Sequence, residues 1–193
     1  MAIAVPGRTI DGIEAPRAGT WVIDKAHTSV GFTARHLMVA KVRGRFGEFA
    51  GTLHIAERPE DSWADVSIRT ASIDSRDEGR DAHLRSADFF DVERFPAMTF
   101  RSTGLRSTGP SSFELPGELT IKEATRPVTL SVDYEGLTLD PWGNGRAVFS
   151  ATTEIDREDF GLTWNVALET GGVLVGKQVK IEIEIEAVYD ASA

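Results

Sequence analysis

Cysteine is absent from the 193-residue chain, which excludes disulfide bonds and thiolate chemistry. The absence fits the cytoplasm, although a periplasmic protein can also lack cysteine. A signal-peptide core is missing too, because the short apolar run 3–5 is followed at once by Pro6 and Gly7. We therefore expect a cytoplasmic protein whose fold is held by its core alone.

Long apolar runs and an excess of basic residues are also missing. No stretch approaches the roughly 20 apolar residues that a transmembrane helix needs. Acidic residues outnumber basic ones, 30 to 21, and the formal net charge is −9. Nucleic-acid binding needs a basic patch, and an anionic membrane surface repels an acidic protein on average. We expect neither a nucleic-acid partner nor stable membrane insertion.

Motifs for metal binding and catalysis are not found either. The four histidines follow none of the HxH, HxxxH or HExxH spacings, and no serine lies in a GxSxG elbow. The glycine-containing run 143–145 precedes a strand-like segment, whereas a dinucleotide fingerprint opens a helix after a strand, so the run indicates a turn. The sequence predicts no metal site, no cofactor and no catalytic set.

The chain does have a two-residue alternation of apolar and polar side chains from Trp21 onward. It is clearest in residues 179–187, where Val, Ile and Ala alternate with Lys and Glu. One face of such a strand is buried and the other faces water. Further alternating runs lie at 30–34, 49–55, 64–68, 113–121, 128–134 and 147–151.

Short turn segments separate these runs, as in antiparallel barrels and sandwiches. The sequence therefore predicts an all-β fold of roughly eight antiparallel strands, a barrel or a sandwich, in a single domain within residues 20–193. Residues 1–19 are rich in Gly and Pro and are predicted to form an N-terminal arm. The segment 74–88 breaks the alternation and predicts a short helix near 76–87. On it, Asp81 and Arg85 are spaced to pair on the helix surface.

The candidate core positions of these strands are rich in phenylalanine. An eight-stranded barrel is either just filled by its side chains or has room for one small ligand. The residues leave two alternatives, a packed core and a tunnel lined by Phe, Leu and Ile, and spacing alone favours the packed core.

Basic residues form two groups, one along the strand segment 41–45 and one in the helical segment 76–85. If the barrel brings them to one mouth, they could neutralise a phosphate or diphosphate, or bond a quinone oxygen. The alternative, which the nearby acidic residues slightly favour, is surface salt bridging. The residues concerned are Lys41, Arg43, Arg45, Arg76, Arg80, His83 and Arg85.

Several segments, taken in order, resemble the YceI-like family of polyisoprenoid-binding, lipocalin-like domains. The most specific are RDxHLRSxDFFD at 80–91 and GxLTI…TxPV at 117–128. Others lie at 21–24, 27–36, 44–51, 72–74, 95–100, 157–162 and 179–181, so that the resemblance covers about residues 19–188. Two turns depart from the family pattern, at 123–124 and 176–178.

The resemblance implies a single antiparallel, roughly eight-stranded, extended lipocalin-like barrel with a long hydrophobic pore, in which relatives bind polyisoprenoid chains, including isoprenoid quinones. It therefore favours the tunnel over the packed core. Exported relatives carry a signal peptide that this chain lacks, which points to a cytoplasmic branch. It does not supply a reaction.

These observations lead to the hypothesis that the chain binds, and sequesters or carries, a long isoprenoid lipid, with Arg80 and His83 at its head group. The predicted ligand-binding residues are Phe32, His36, Phe46, Phe49, Arg80, His83, Phe89, Phe90, Phe100, Phe149, Phe160 and Trp164. The rival is an enzyme acting on a lipid or small apolar substrate through Arg80, Asp81 and His83. A plainer alternative is a stress-response scaffold with a full barrel. The sequence is also compatible with a homodimer.

Overall fold

The computed structural model describes residues 7–10, 12–37, 39–169 and 171–192. Strands dominate this part of the chain, which contains one α-helix, α1 (Glu78–Arg85). The strands are β1 (Gly7–Ile10), β2 (Ile13–Pro16), β3 (Gly19–Ile23), β4 (Ser29–His36), β5 (Ala40–Phe46), β6 (Phe49–Ile55), β7 (Trp63–Arg69), β8 (Ile73–Asp74), β9 (Ala97–Ser102), β10 (Arg106–Ser107), β11 (Ser112–Ile121), β12 (Ala124–Leu139), β13 (Gly145–Asp156) and β14 (Val175–Tyr189).

Eight of these strands close into an antiparallel barrel. The order around it is β13–β12–β11–β9–β7–β6–β3–β14, and β14 pairs back onto β13. The closing pair is continuous from Arg146 opposite Val188 to Asp156 opposite Gln178. The predicted all-β, eight-stranded antiparallel barrel with a short helix is thereby confirmed.

Strand β14 has two partners along its other edge. Its last residues pair with β3, whereas its earlier residues pair with β4, which continues through β5 to β8. The wall is thus built from different strands at the two ends of the barrel. We call the end that contains Ile55 and Leu137 the hairpin end, and the end that contains Ile121 and Ile155 the helix end.

Two apolar clusters lie at these two ends. The cluster at the helix end includes Phe46, Phe89, Phe90 and Ile121, and Leu84 of α1 packs against it. The cluster at the hairpin end is built around Trp21, which is fully buried. Burial of a large apolar side chain stabilises the fold by about 1.5–3 kcal/mol. Both ends of the barrel are therefore anchored by packing.

Hydrogen bonds to the segment before it hold helix α1, and the predicted ion pair between Asp81 and Arg85 is not formed. Asp81 is buried and accepts hydrogen bonds from the backbone N–H and the hydroxyl of Ser75, at 2.9 and 2.5 Å. Arg85 donates to the carbonyls of Ala71 and Ile73, at 2.9 and 2.6 Å. The predicted surface pair was wrong because both side chains have nearer partners in the segment before the helix.

Part of the predicted N-terminal arm is ordered as a β-hairpin. Strands β1 and β2 pair antiparallel from Gly7 opposite Pro16 to Ile10 opposite Ile13. Gly12 lies in the connecting turn with φ +84°, a backbone conformation that favours glycine. Residues 1–6 of the arm lie outside the described residues. In the part of the chain that is described, no helix has the length and hydropathy required to cross a membrane.

Candidate functional site

A continuous cavity of about 830 Å³ runs through the barrel. Its lining comes from all eight barrel strands, and also from the hairpin β1–β2 and the segment before β9. Ligand pockets usually measure about 300–1,000 Å³, and an apolar cavity of about 150 Å³ already holds a benzene ring. The barrel is therefore not filled by its own side chains, and the structure agrees with the tunnel alternative.

The alternation of β14 explains why the lumen is apolar. Ile181, Ile183 and Ile185 line the cavity, whereas the intervening Glu182 and Glu184 do not. The same rule places Val128, Leu130 and Val132 of β12 inside. Because neighbouring strands contribute matching apolar faces, a long apolar ligand meets hydrocarbon along the length of the lumen.

Two phenylalanines lie flat on the wall because a neighbouring residue is glycine. Phe32 of β4 is directly opposite Gly44 of β5, and its ring occupies the space that a Cβ there would need. A Cβ on Gly117 would lie 2.5 Å from the ring of Phe100. A larger residue at either position would push the ring into the lumen, so these glycines help to keep the cavity open.

Seven of the twelve predicted ligand-binding residues line the cavity. They are Phe32, Phe46, Phe49, Phe89, Phe90, Phe100 and Phe149. Six of them lie in the larger cluster or pack against it, and Phe149 packs at the hairpin end. At the helix end, the rings of Phe46 and Phe90 meet edge to face with their centroids 5.8 Å apart.

The other five predicted residues lie outside the lining. Phe160 is buried in the 3₁₀ turn Arg157–Phe160, and Trp164 follows it in the loop before β14. Both belong to the larger apolar cluster or pack against it, without lining the cavity. His36 is the last residue of β4, opposite Ala40 and Val175.

Arg80 and His83, the predicted head-group residues, lie on α1 and contact polar groups just outside the helix. Arg80 donates to the hydroxyl and the carbonyl of Ser75, at 2.7 and 2.8 Å. The Nε2 atom of His83 lies 2.9 Å from the Asp88 carboxylate, and its ring packs edge-on against Trp164. Neither residue lines the cavity, nor does Asp81, so the polar set of the rival enzyme hypothesis is not aimed into the lumen.

The basic strand segment 41–45 is exposed apart from its apolar residues. Arg45 forms a salt bridge with Asp74 of β8, with N and O atoms 3.1 Å apart. This contact corresponds to the surface salt bridging that the sequence slightly favours over phosphate binding.

Arg157 lines the cavity, although it lies outside the two basic groups that the sequence indicates. It is only 3% exposed, and no carboxylate of the described residues pairs with it. Its guanidinium donates instead to four backbone carbonyls, those of Leu162, Trp164, Val175 and Gly176. Burial lowers the pKa of this guanidinium. The residue ties the loop before β14 to the helix end of the barrel.

Comparison with known proteins identifies the family. A family model described as a YceI-like domain matches residues 21–187. The chain belongs to the YceI-like domain family. It is 38% identical over 165 residues to a UPF0312 protein of Azotobacter vinelandii, a match that covers 84% of this chain and 86% of that protein.

Solved structures share the fold of this YceI-like domain. A YCEI protein of Campylobacter jejuni matches with a TM-score of 0.69 and 28% identity, over 86% of this chain and 96% of that one. A polyisoprenoid binding domain from Saccharophagus degradans matches with a TM-score of 0.69 and 11% identity, over 90% and 100% of the two chains. The hairpin β1–β2 lies outside the residues that the family model matches.

A second polar cluster of this YceI-like domain is centred on Arg146. Its Nη1 atom bonds Asp24 at 2.5 Å and also bonds Glu186, and its Nε lies 3.0 Å from Asp140. Asp24, Glu186 and His27 bring their ligand atoms close enough together to hold a metal ion. The Arg146 cation already lies between the two carboxylates, so we assign the cluster as an ion-pair network that joins strands β13 and β14 to the turn after β3.

This network predicts a dependence of stability on acid. The hydrogen bond from Arg146, followed by that from His27, lowers the pKa of Asp24 to about 2. Because the folded pKa lies below the unfolded value, Asp24 stabilises the fold by about 2 kcal/mol above pH 4, and this contribution is lost as the pH falls towards 2. We expect Asp24→Asn to remove most of it in urea unfolding at neutral pH and to flatten the acid dependence. Asp159→Asn, at an exposed carboxylate, is the control; equal curves for the two variants would contradict the assignment.

Proposed function

We propose that this YceI-like domain binds one long isoprenoid lipid inside its barrel and sequesters or carries it. The observation that carries the proposal is the continuous apolar cavity of about 830 Å³. A solved domain with the same fold is described as polyisoprenoid binding, which supports this class of ligand. An isoprenoid quinone and a polyprenol both have the tail that such a lumen accepts.

The energetics of the lumen favour a tail over a compact ligand. Each CH₂ group removed from water contributes about 0.8 kcal/mol, so several isoprene units bind with few polar contacts. Part of this gain is offset by ordering a flexible chain, at a cost that rises with each fixed bond. A mainly apolar lumen is therefore suited to a branched hydrocarbon chain that fills it along its length.

Neither the rival enzyme nor the filled scaffold has comparable support. Arg80, Asp81 and His83 bond to Ser75 and Asp88 rather than facing the cavity. The open lumen argues against a scaffold whose barrel is full. A cytoplasmic location and a homodimer stay predictions from the sequence.

Native mass spectrometry of the purified protein, followed by organic extraction, tests the proposal. We expect an additional mass that matches a polyprenol, a polyprenyl phosphate or an isoprenoid quinone, because an apolar lumen of this size takes up lipid during expression. Protein stripped of lipid should bind added phytol in a one-to-one complex. A mass of the protein alone that stays unchanged after incubation with phytol would contradict the proposal.

A further inference from the structure

The hairpin β1–β2 covers one mouth of the cavity. Arg8 attaches it to the segment after β6 by donating to the Glu57 carbonyl and carboxylate, at 2.9 and 2.7 Å, and to the Ala56 carbonyl. On the other side, a Cβ on Gly7 would lie 2.7 Å from Leu137 Cδ2, so the hairpin is in close contact with β12. It therefore spans the opening between β6 and β12.

The face that the hairpin turns towards the lumen is mainly apolar. Ile10, Ile13, Ala15 and Pro16 all line the cavity, and Arg8 does so as well. These residues precede the part of the chain that matches the family model, which begins at residue 21. The hairpin is therefore an addition to the matched YceI-like domain, and it completes the cavity at the hairpin end.

Two polar atoms at this mouth are buried without a hydrogen-bond partner. Among the described residues, the buried side-chain nitrogen and oxygen atoms that lack a partner are Arg8 Nε and the Tyr134 hydroxyl. Both residues line the cavity, and Tyr134 lies on β12, the strand that the hairpin contacts. Buried polar groups nearly always have a partner, so two unpaired donors at one mouth point to a missing acceptor.

The charges at this mouth favour an uncharged acceptor. The Arg8 cation is already paired with Glu57. Burial, and then the charge of Glu14 on β2, raises the pKa of Tyr134 to about 12, so its hydroxyl stays protonated and able to donate. Glu14 would repel a phosphate at the same position.

We propose that the hairpin end holds the head group of the bound isoprenoid, and that this head group is an uncharged hydroxyl or carbonyl oxygen accepting hydrogen bonds from Tyr134 and Arg8 Nε. This inference rests on the proposed function and deepens it. It orients the ligand with its tail towards Phe46 and Phe90 at the helix end. The predicted head-group residues, Arg80 and His83, lie at the opposite end from this subsite.

The test compares three probes that share one branched tail: phytol, with a hydroxyl, phytane, a pure hydrocarbon, and phytyl phosphate. We expect the full chain to bind phytol about tenfold more tightly than phytane or phytyl phosphate, as one or two buried hydrogen bonds provide. Tyr134→Phe should remove most of the preference for phytol over phytane while leaving the affinity for phytane unchanged. Tyr189→Phe is the matched control, since Tyr189 packs on Trp21 and does not line the cavity.

The outcomes separate this inference from the proposed function. Equal affinity for phytol and phytane, or tightest binding of phytyl phosphate, would overturn the head-group subsite and leave lipid binding intact. Loss of phytol affinity in Tyr189→Phe to the same extent as in Tyr134→Phe would also overturn it. If none of the three probes binds, the proposed function fails and the subsite fails with it. Thermal melts of both variants confirm that the fold is retained.

Discussion

Ala151→Trp is expected to weaken binding of an isoprenoid lipid about 100-fold, which corresponds to about 2.8 kcal/mol. Ala151 is 2% exposed and lines the middle of the cavity on β13. It lies opposite Val132 and Ile183, which also face the lumen. An indole at this position would occupy the path of the tail, and the existing void gives it room without displacing the wall.

Thr152→Trp is the matched control for this prediction. Thr152 is the next residue on β13 and is exposed on the outside of the barrel. Binding of phytol by titration, together with thermal melts, should show lost affinity for the inward variant alone. Ile183→Trp, on the neighbouring strand, provides a second way to block the lumen. Wild-type affinity in both inward variants would show that the lipid does not pass through the barrel.

Arg157→Met is expected to destabilise the fold by about 3 kcal/mol. The methionine fills a similar volume but donates no hydrogen bond to the four carbonyls that Arg157 contacts. Each buried carbonyl that stays unsatisfied costs about 1–3 kcal/mol of stability. Removing an unpaired buried cation offsets part of this loss. For a chain of this length the melting temperature should fall by roughly 10 °C.

The comparison for Arg157 is Arg101→Met, which removes an exposed guanidinium paired with Asp65 at 2.9 Å. An exposed pair of this kind contributes about 1 kcal/mol or less. Urea unfolding should therefore separate the two variants clearly. Arg157→Lys keeps the charge but lacks the planar fork, so it should be intermediate in stability. Equal unfolding midpoints for Arg157→Met and Arg101→Met would mean that the carbonyl network does not hold the loop.

The strands were predictable from the sequence because alternation is a local property. Residues 179–187 show it without interruption, and they form the centre of β14. The closing pairing of β13 with β14, and the division of β14 between β3 and β4, depend on contacts far apart in the chain. The family resemblance implied the lipocalin-like barrel, whereas the periodicity alone left a barrel and a sandwich open.

The cavity and its polar groups were less accessible to sequence reasoning. The volume of a lumen is the small difference between the volume that the barrel encloses and the volume that its side chains fill. The spacing of residues in a sequence does not reveal this difference. The predicted phenylalanines on strands follow the alternation and line the cavity, whereas Phe160 lies in a 3₁₀ turn to which no alternation applies. The partner of Arg80, Ser75, lies before the helix and carries no charge, so the charge pattern gives no sign of it. The hairpin has short strands without clear alternation, and only its turn at Gly12 gives a local signal.

The pairing of β3 with β14 also determines when the protein can fold during its synthesis. Trp21 lies opposite Tyr189, so residues from the two extremities of the chain must meet to complete the barrel. Ribosomes add about 5–20 residues per second, so the early strands wait on the order of ten seconds for their last partner. Throughout this interval the apolar faces that later form the lumen are exposed along with unpaired strand edges. Such exposed apolar faces and unpaired edges favour aggregation of the incomplete chain.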